Sequence, residues 1–301
     1  MMNYVILDME WDSVYHKLYK RFINQILQIG AVKLDEKFNI VDIFDVTVKS
    51  SVSKKVTKRF SELTGITKEM MLDGIPLNEA VSRYNNWLGD DTVTITWSNS
   101  DLYTIAENEK YLLKNLKFKI DKYLDLQKFI QGELRLLGYE SNSQISLANA
   151  AEILGITTDG YDLHTAKDDS LLCAALLKKH YNAPAFEGLI KDTSDPEFYN
   201  RMYFKSYYIS DINDILIDKE ALKFHCENCS NEMTRQSKWR YRNNWFSANF
   251  ICKSCNKKHV CRVSFKKTYD NLIVKRRILE PKLPENNKEN ADALQPMPTT
   301  V

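Results

Sequence analysis

The chain has 301 residues, 44% of them hydrophobic and 27% charged, with 42 Lys/Arg against 40 Asp/Glu and six cysteines. That length can bury a large core and suits two folded units plus a tail. No apolar run is long enough to span a bilayer, and Asp8, Glu10 and Asp12 interrupt the apolar N-terminal stretch, so neither a membrane span nor a signal peptide is expected and the chain reads as soluble and cytoplasmic.

In chain order, NYVILDMEW (3–11) reads as a buried strand. QILQIGAVKLD (25–35) and FNIVDIFDVTV (38–48) read as two more, with a hairpin turn from Asp35 to Lys37. The segment from Asp12 to Arg21 is left as a loop carrying Lys17, Lys20 and Arg21 among aromatics. SELTGITKEMM (61–71) and LNEAVSRYNNWL (77–88) have helical spacing, TVTITW (92–97) is a fourth strand, and DLYTIAENEKYLLKNL (101–116) is a helix with Ser100 or Asn99 as its cap. KIDKYLDLQ (119–127) gives a fifth strand. QKFIQGELRLLG (127–138), SLANAAEILG (146–155) and DDSLLCAALLKKHY (168–181) follow as helices. Antiparallel strands followed by strands alternating with helices predict an α/β sheet covered on both faces, ending near residue 184. Residues 185–222 read as a connecting segment, with a break at Asp195-Pro196 and with Tyr203, Phe204, Tyr207 and Tyr208 suited to packing on a neighbouring domain. Residues 223–278 form a small β-rich unit, and the polar, Pro-rich 279–301 is expected to be disordered.

Acidic residues and one histidine stand where apolar runs give way to turns or helix starts. On a strand, Asp8 and Glu10 project to the same side as a pair of hard oxygen ligands, which suits Mg²⁺ or Mn²⁺. Two such ions about 3.5–4 Å apart can activate water and stabilise a leaving oxygen. A solvated D-x-E at a sheet edge is the competing reading. Asp101, after the fourth strand, either joins that pair or caps its helix. Asp169 falls in the first turn of an apolar-faced helix, with His164 on the loop before it. An imidazole there suits a general base, and a surface histidine beside a helix cap is the alternative.

VILDMEW, QILQIGAVKLD, ELTGIT, TWSNSDLYTI and HTAKDDSLLCAALL occur in an order and spacing that resemble the DEDDh family of 3′–5′ exonucleases, which have an RNase H-like fold. The resemblance runs over residues 3–182 and is nearest to the bacterial relatives of the eukaryotic histone-mRNA and small-RNA exoribonucleases. It implies that Asp8, Glu10 and Asp169 hold the tighter of two Mg²⁺ or Mn²⁺ ions, with Asp8 bridging to the second. It further implies that Asp101 holds the second ion's waters, that His164 is the base, and that Asp168 orients or caps. The implied substrate is single-stranded nucleic acid with a free 3′ end, RNA ahead of DNA, and the products are nucleoside 5′-monophosphates. Trp11 departs from the pattern at the position after the glutamate. It either stacks on a base or packs in the core.

Cys226-x2-Cys229 and Cys252-x2-Cys255 have the spacing of a structural four-thiolate Zn²⁺ site, the hallmark of a zinc ribbon; a redox pair is the alternative. Ser230 and Asn256 stand where many ribbons have glycine, His225, His259 and Cys261 lie close by, and Cys173 reads as core. Between the knuckles, KWRYR places Lys238, Arg240 and Arg242 on one strand face and Trp239 and Tyr241 on the other. Residues 201–280 hold seventeen Lys/Arg against eight Asp/Glu, a difference of +9, whereas residues 1–200 hold 23 against 29, a difference of −6. An acidic catalytic part joined to a basic nucleic-acid clamp accounts for that asymmetry. A DNA repair or proofreading exonuclease, and a binding adaptor with a vestigial nuclease fold, are the two other functions the sequence admits.

Overall fold

The computed structural model describes residues 3–139 and 143–280, which fall into two units divided between Tyr199 and Asn200. Of the tail expected over 279–301, Leu279 instead ends a strand, and residues 281–301 lie outside the described residues.

The first unit opens with three antiparallel strands, β1 (Asn3–His16), β2 (Arg21–Leu34) and β3 (Ile40–Lys49). The β2–β3 turn is built by Asp35, whose carboxylate accepts the backbone N–H groups of Lys37 and Asn39, each at 2.8 Å. Then come α1 (Lys58–Thr64), α2 (Lys68–Asp73), β4 (Ile75–Pro76), α3 (Leu77–Leu88), β5 (Thr92–Thr96), α4 (Ser100–Tyr111), β6 (Lys122–Asp125) and α5 (Leu126–Leu136). Helices α6 (Leu147–Ile153), α7 (Ala166–His180) and α8 (Ala183–Glu187) and strand β7 (Lys191–Asp192) complete the unit. The seven strands run in the order β4-β3-β2-β1-β5-β6-β7, with β5 parallel to β1 and to β6.

Burial explains the central strands. Every residue of β5 is buried, as a parallel strand covered on both faces requires, and α3 buries Leu77, Ala80, Val81, Tyr84 and Leu88, one helical stripe. The main core joins Ile6, Val93, Ile95, Leu124, Phe129, Leu176, Leu177 and Phe186 from strands and helices on that side of the sheet.

Two expectations are corrected. The single helix over 61–71 is two: Gly65, at φ 71°, ends α1 in the left-handed region, and the Thr67 side chain caps α2 by accepting the Met70 N–H. The loop over 12–21 is the far half of a hairpin, because β1 and β2 stay paired from Trp11–Ile26 out to His16–Arg21 beyond a bulge at Leu27. That bulge is patched by the buried Asn108 of α4, whose amide accepts the Ile26 N–H and donates to the Asn24 carbonyl. The start of α4 has Asn99 at its cap position, one of the two residues expected there; its side chain makes no capping bond, and Ser98 Oγ accepts the Ser100 N–H. Within residues 185–222, β7 pairs with β6, while β8 (Tyr207–Tyr208) pairs with a later strand.

Helix α9 (Pro196–Tyr203) spans the boundary. The second unit contains β8, a 3₁₀ turn (Lys219–Leu222), β9 (Thr234–Arg235), β10 (Arg240–Arg242), β11 (Trp245–Ile251), β12 (Lys258–Lys267) and β13 (Leu272–Leu279). Strands β10-β11-β12-β13 form the sheet, with β9 added to β11 and β8 to β12. Asn243 and Asn244, both at positive φ, make the tight β10–β11 turn. Phe224, Met233, Phe246, Phe250, Val263 and Phe265 pack with Cys226, Cys252 and Cys261 into a core of its own. Among the described residues no helix is long and apolar enough to cross a membrane.

Candidate active site

Asp8 and Glu10 lie on one side of β1, both half-buried, and Asp169 reaches them from the first turn of α7. One carboxylate oxygen from each of the three falls within 4.8 Å of the others. The approach of α7 depends on Gly30, the residue opposite Asp8 on β2. A Cβ there would lie 2.2 Å from the Ala166 carbonyl carbon and 2.3 Å from the Lys167 nitrogen, so the helix start rests directly on the strand backbone. Two bonds fix it there: the Ala166 N–H donates to Gln28 Oε1 at 3.2 Å, and Ser170 Oγ donates to the Gly30 carbonyl at 3.2 Å. Sequence reasoning missed Gly30, Gln28 and Ser170, and the only available signal was a glycine inside an otherwise bulky apolar strand.

Asp101 is buried beside this trio. Its Oδ1 accepts the N–H of Met9, between Asp8 and Glu10, at 3.1 Å. The turn that delivers it, with Ser98 at φ 79°, is held by Tyr123, whose hydroxyl bonds the Ser98 carbonyl at 3.0 Å and Thr96 Oγ1 at 2.9 Å. His164 is exposed, and at φ 69° its backbone N–H points to Asp169 Oδ1 at 3.4 Å. Its ring is not part of the carboxylate cluster. Asp168 ties the loop before α7 to the helix: its Oδ2 accepts the Asp162 N–H at 2.8 Å, and Lys167 pairs with it at 3.5 Å, while Thr165 is the cap. Trp11 is half-buried, directly after Glu10.

Gathering these groups raises every carboxyl. Burial, and then Asp101, Asp169 and Glu10, hold Asp8 well above the usual carboxylate range. Burial with Asp169 and Asp101 pushes Glu10 to about 8. Asp101 rises to about 7, chiefly through burial and against the N–H groups it accepts, and burial also raises Asp169. Carboxylates that crowd in this way favour either protons or a divalent cation, and hard oxygen donors fit Mg²⁺ or Mn²⁺.

In the second unit the four sulfurs of Cys226, Cys229, Cys252 and Cys255 lie within 4.8 Å of one another, and none is in a disulfide. The backbone N–H of Cys255, with the Cys229 and Cys255 thiols and the Ser254 N–H, pulls the Cys252 thiol down to about 6, and the Asn228 and Cys229 N–H groups lower Cys226. Ser230 and Asn256 take the left-handed turns after each knuckle, at φ 59° and 55°. This cage suits zinc. His259 Nε2 stands 4.0 Å from Cys226 Sγ, outside the four-sulfur group, and Cys173 is buried in the core of the first unit. Arg240 and Arg242 are exposed on β10, Lys238 lies just before the strand and exposed, and Trp239 packs on Phe224 and Phe250.

Carboxylates gathered beside the central strands of such a mixed sheet suit a metal-dependent hydrolase, and the family match makes that hydrolase an exonuclease. Residues 5–177 match the RNase T exonuclease family, and the chain belongs to it. It is 27% identical over 176 residues to a PolC-type DNA polymerase III of Clostridium perfringens, covering 58% of this chain and 11% of that one. It is 28% identical over 182 residues to the probable 3′-5′ exonuclease KapD of Bacillus subtilis, covering 58% and 82%. Among solved structures, the nuclease domain of 3′hExo, described as a DEDDh family member bound to rAMP, superposes with a TM-score of 0.50 at 21% identity, over 59% of this chain and 90% of that one. The chain spans only about a tenth of the length of the PolC-type relative.

Proposed function

We propose that the protein is a two-metal-dependent 3′–5′ exonuclease that hydrolyses single-stranded nucleic acid from its free 3′ end, RNA in preference to DNA, and releases nucleoside 5′-monophosphates. The convergence of Asp8, Glu10 and Asp169 oxygens carries the reading, and membership of the exonuclease family supports it. Divalent ions bound there supply charge neutralisation and an activated water. Asp8, Glu10 and Asp169 hold them, and Asp101 completes the acidic set while fixing the β1 backbone at Met9. His164, exposed on the loop before α7, takes the proton of the attacking water. Trp11 offers a ring beside Glu10 to the terminal base. One structural Zn²⁺ in the four-cysteine cage holds the second unit together. Six cysteines, none of them in a disulfide, fit a reducing compartment such as the cytoplasm.

RNA as substrate is supported by the rAMP bound to the 3′hExo domain. The PolC-type matches favour DNA as a second reading. Matched RNA and DNA strands, labelled at the 3′ end and incubated with Mg²⁺, separate the two. Asp8→Ala and Asp169→Ala should each abolish nucleotide release by at least a thousandfold while keeping the parental circular dichroism. Undiminished release in either variant rejects the site.

A further inference from the structure

The sheet of the second unit has a core face and an opposite face, and its regular register assigns each strand residue to one of them, because directly opposed side chains share a face. Phe246, Phe250 and Phe265 lie on the core face. Strands β8 to β13 contain ten Lys/Arg and no Asp or Glu. Seven of the ten, Arg240, Arg242, Lys258, Arg262, Lys266, Lys275 and Arg277, fall on the opposite face. The ion pairs of this unit join Arg201 to Asp270 and Lys223 to Glu220, and among the described residues none engages these seven.

On that face, at the start of β11, Trp245 is flanked by two guanidinium groups. The central carbons of Arg262 and Arg277 each lie 5.1 Å from its ring centre. These two arginines are also directly opposed in the β12–β13 ladder, a pairing of like charges that disfavours the sheet unless an anion joins them. Arg262 Nε is buried and has no hydrogen-bond partner among the described residues. Lys266 stands 5.8 Å from the ring of Tyr208, a second aromatic on the same face.

Flat π surfaces set among unpaired cations match a partner that alternates aromatic rings with negative charges. We propose that this face is a binding platform for single-stranded nucleic acid, with bases stacked on the indole and guanidinium planes around Trp245 and phosphates held by the surrounding Arg and Lys side chains. It shares its substrate class with the nuclease reading but uses none of the carboxylate cluster. An acidic lipid surface would use the charges and leave the ring idle.

The test measures binding of the full-length, zinc-loaded protein to a fluorescein-labelled 20-mer of uridylate by anisotropy. No Mg²⁺ is added, and no chelator, which would strip the cysteines. Arg240→Ala with Arg242→Ala should weaken binding about tenfold and flatten the log–log salt dependence by ~0.7 for each phosphate no longer held. Trp245→Ala should weaken it about tenfold, and Trp245→Phe, which keeps a ring, by less than about threefold. Any variant whose zinc content drops is replaced by Arg277→Gln, on the exposed edge strand β13, with the same flattening expected. Parental affinity in Trp245→Ala overturns the proposal, as does equal binding of the unaltered protein to phosphatidylserine vesicles. Nucleotide release from a trinucleotide in Mg²⁺ is measured alongside. Its loss in Asp8→Ala with binding intact leaves the platform standing, and platform variants that bind weakly but still trim the trinucleotide leave the nuclease site standing.

Discussion

Asp8 and Gly30 face each other across the β1–β2 ladder, and between them they decide whether Asp169 can meet Glu10. Gly30→Ala would force the start of α7 off the strand, since no backbone atom at 2.2 Å can accommodate a methyl group. Overpacking of that kind costs about 1–3 kcal/mol. A displacement of the clustered carboxylates near 1 Å should cost about a hundredfold in rate. The expected outcome is a protein that melts a few degrees lower yet turns over about a hundredfold more slowly in saturating Mg²⁺, read by calorimetry and steady-state kinetics. A fall in activity no larger than the loss of folded protein would contradict it. Asp8→Asn should behave oppositely in stability: it removes one of four mutually repelling carboxyls, so without divalent ions it should melt about 2–4 °C above the parent, roughly 1 kcal/mol, while losing turnover.

The first turn of α7, the β1 strand and the start of α4 together set a pH dependence. Carboxyls whose folded-state affinity for protons exceeds that of the unfolded chain stabilise the fold fully below their ordinary titration range, and that contribution is lost as pH rises through their folded values. With Asp101 at about 7 and Glu10 at about 8, and Asp8 and Asp169 also raised, metal-free protein should lose melting temperature steadily between about pH 5 and 9. Excess Mg²⁺ should flatten that slope, and a metal-free melting curve independent of pH would show that the groups do not repel. The elements that carry this chemistry were legible where burial imposes a period: β5, α3 and α7 announce themselves by apolar spacing. The distal half of the β1–β2 hairpin did not, because Tyr15, Leu18 and Phe22 are exposed there and backbone pairing alone defines the strand. The break at Gly65 is local turn chemistry hidden inside an amphipathic run. Asp8, Glu10 and Asp169 were readable as a set, whereas Gly30 was not, since its role depends on a helix arriving from far along the chain. His164 was readable as a residue, but its exposed, left-handed placement was not.

Across the whole molecule, the division after Tyr199 sets most of the acidic excess apart from the basic one. If the four-cysteine cage holds the second unit, Cys226→Ser should release its ion and melt that sheet while the first unit keeps its own transition, because the two cores share no residues. The variant should bind a 20-mer at least tenfold more weakly and still trim a trinucleotide. A single unfolding transition shared by both units, unchanged in position, would be inconsistent with it. The same cage has a further property. Its two knuckles turn left-handed at Ser230 and Asn256, a conformation that disfavours serine and suits asparagine better. Serine at that corner costs about 1 kcal/mol, so a zinc ion held there would work against more backbone tension at the first knuckle than at the second, and a competing chelator should open the first knuckle before the second.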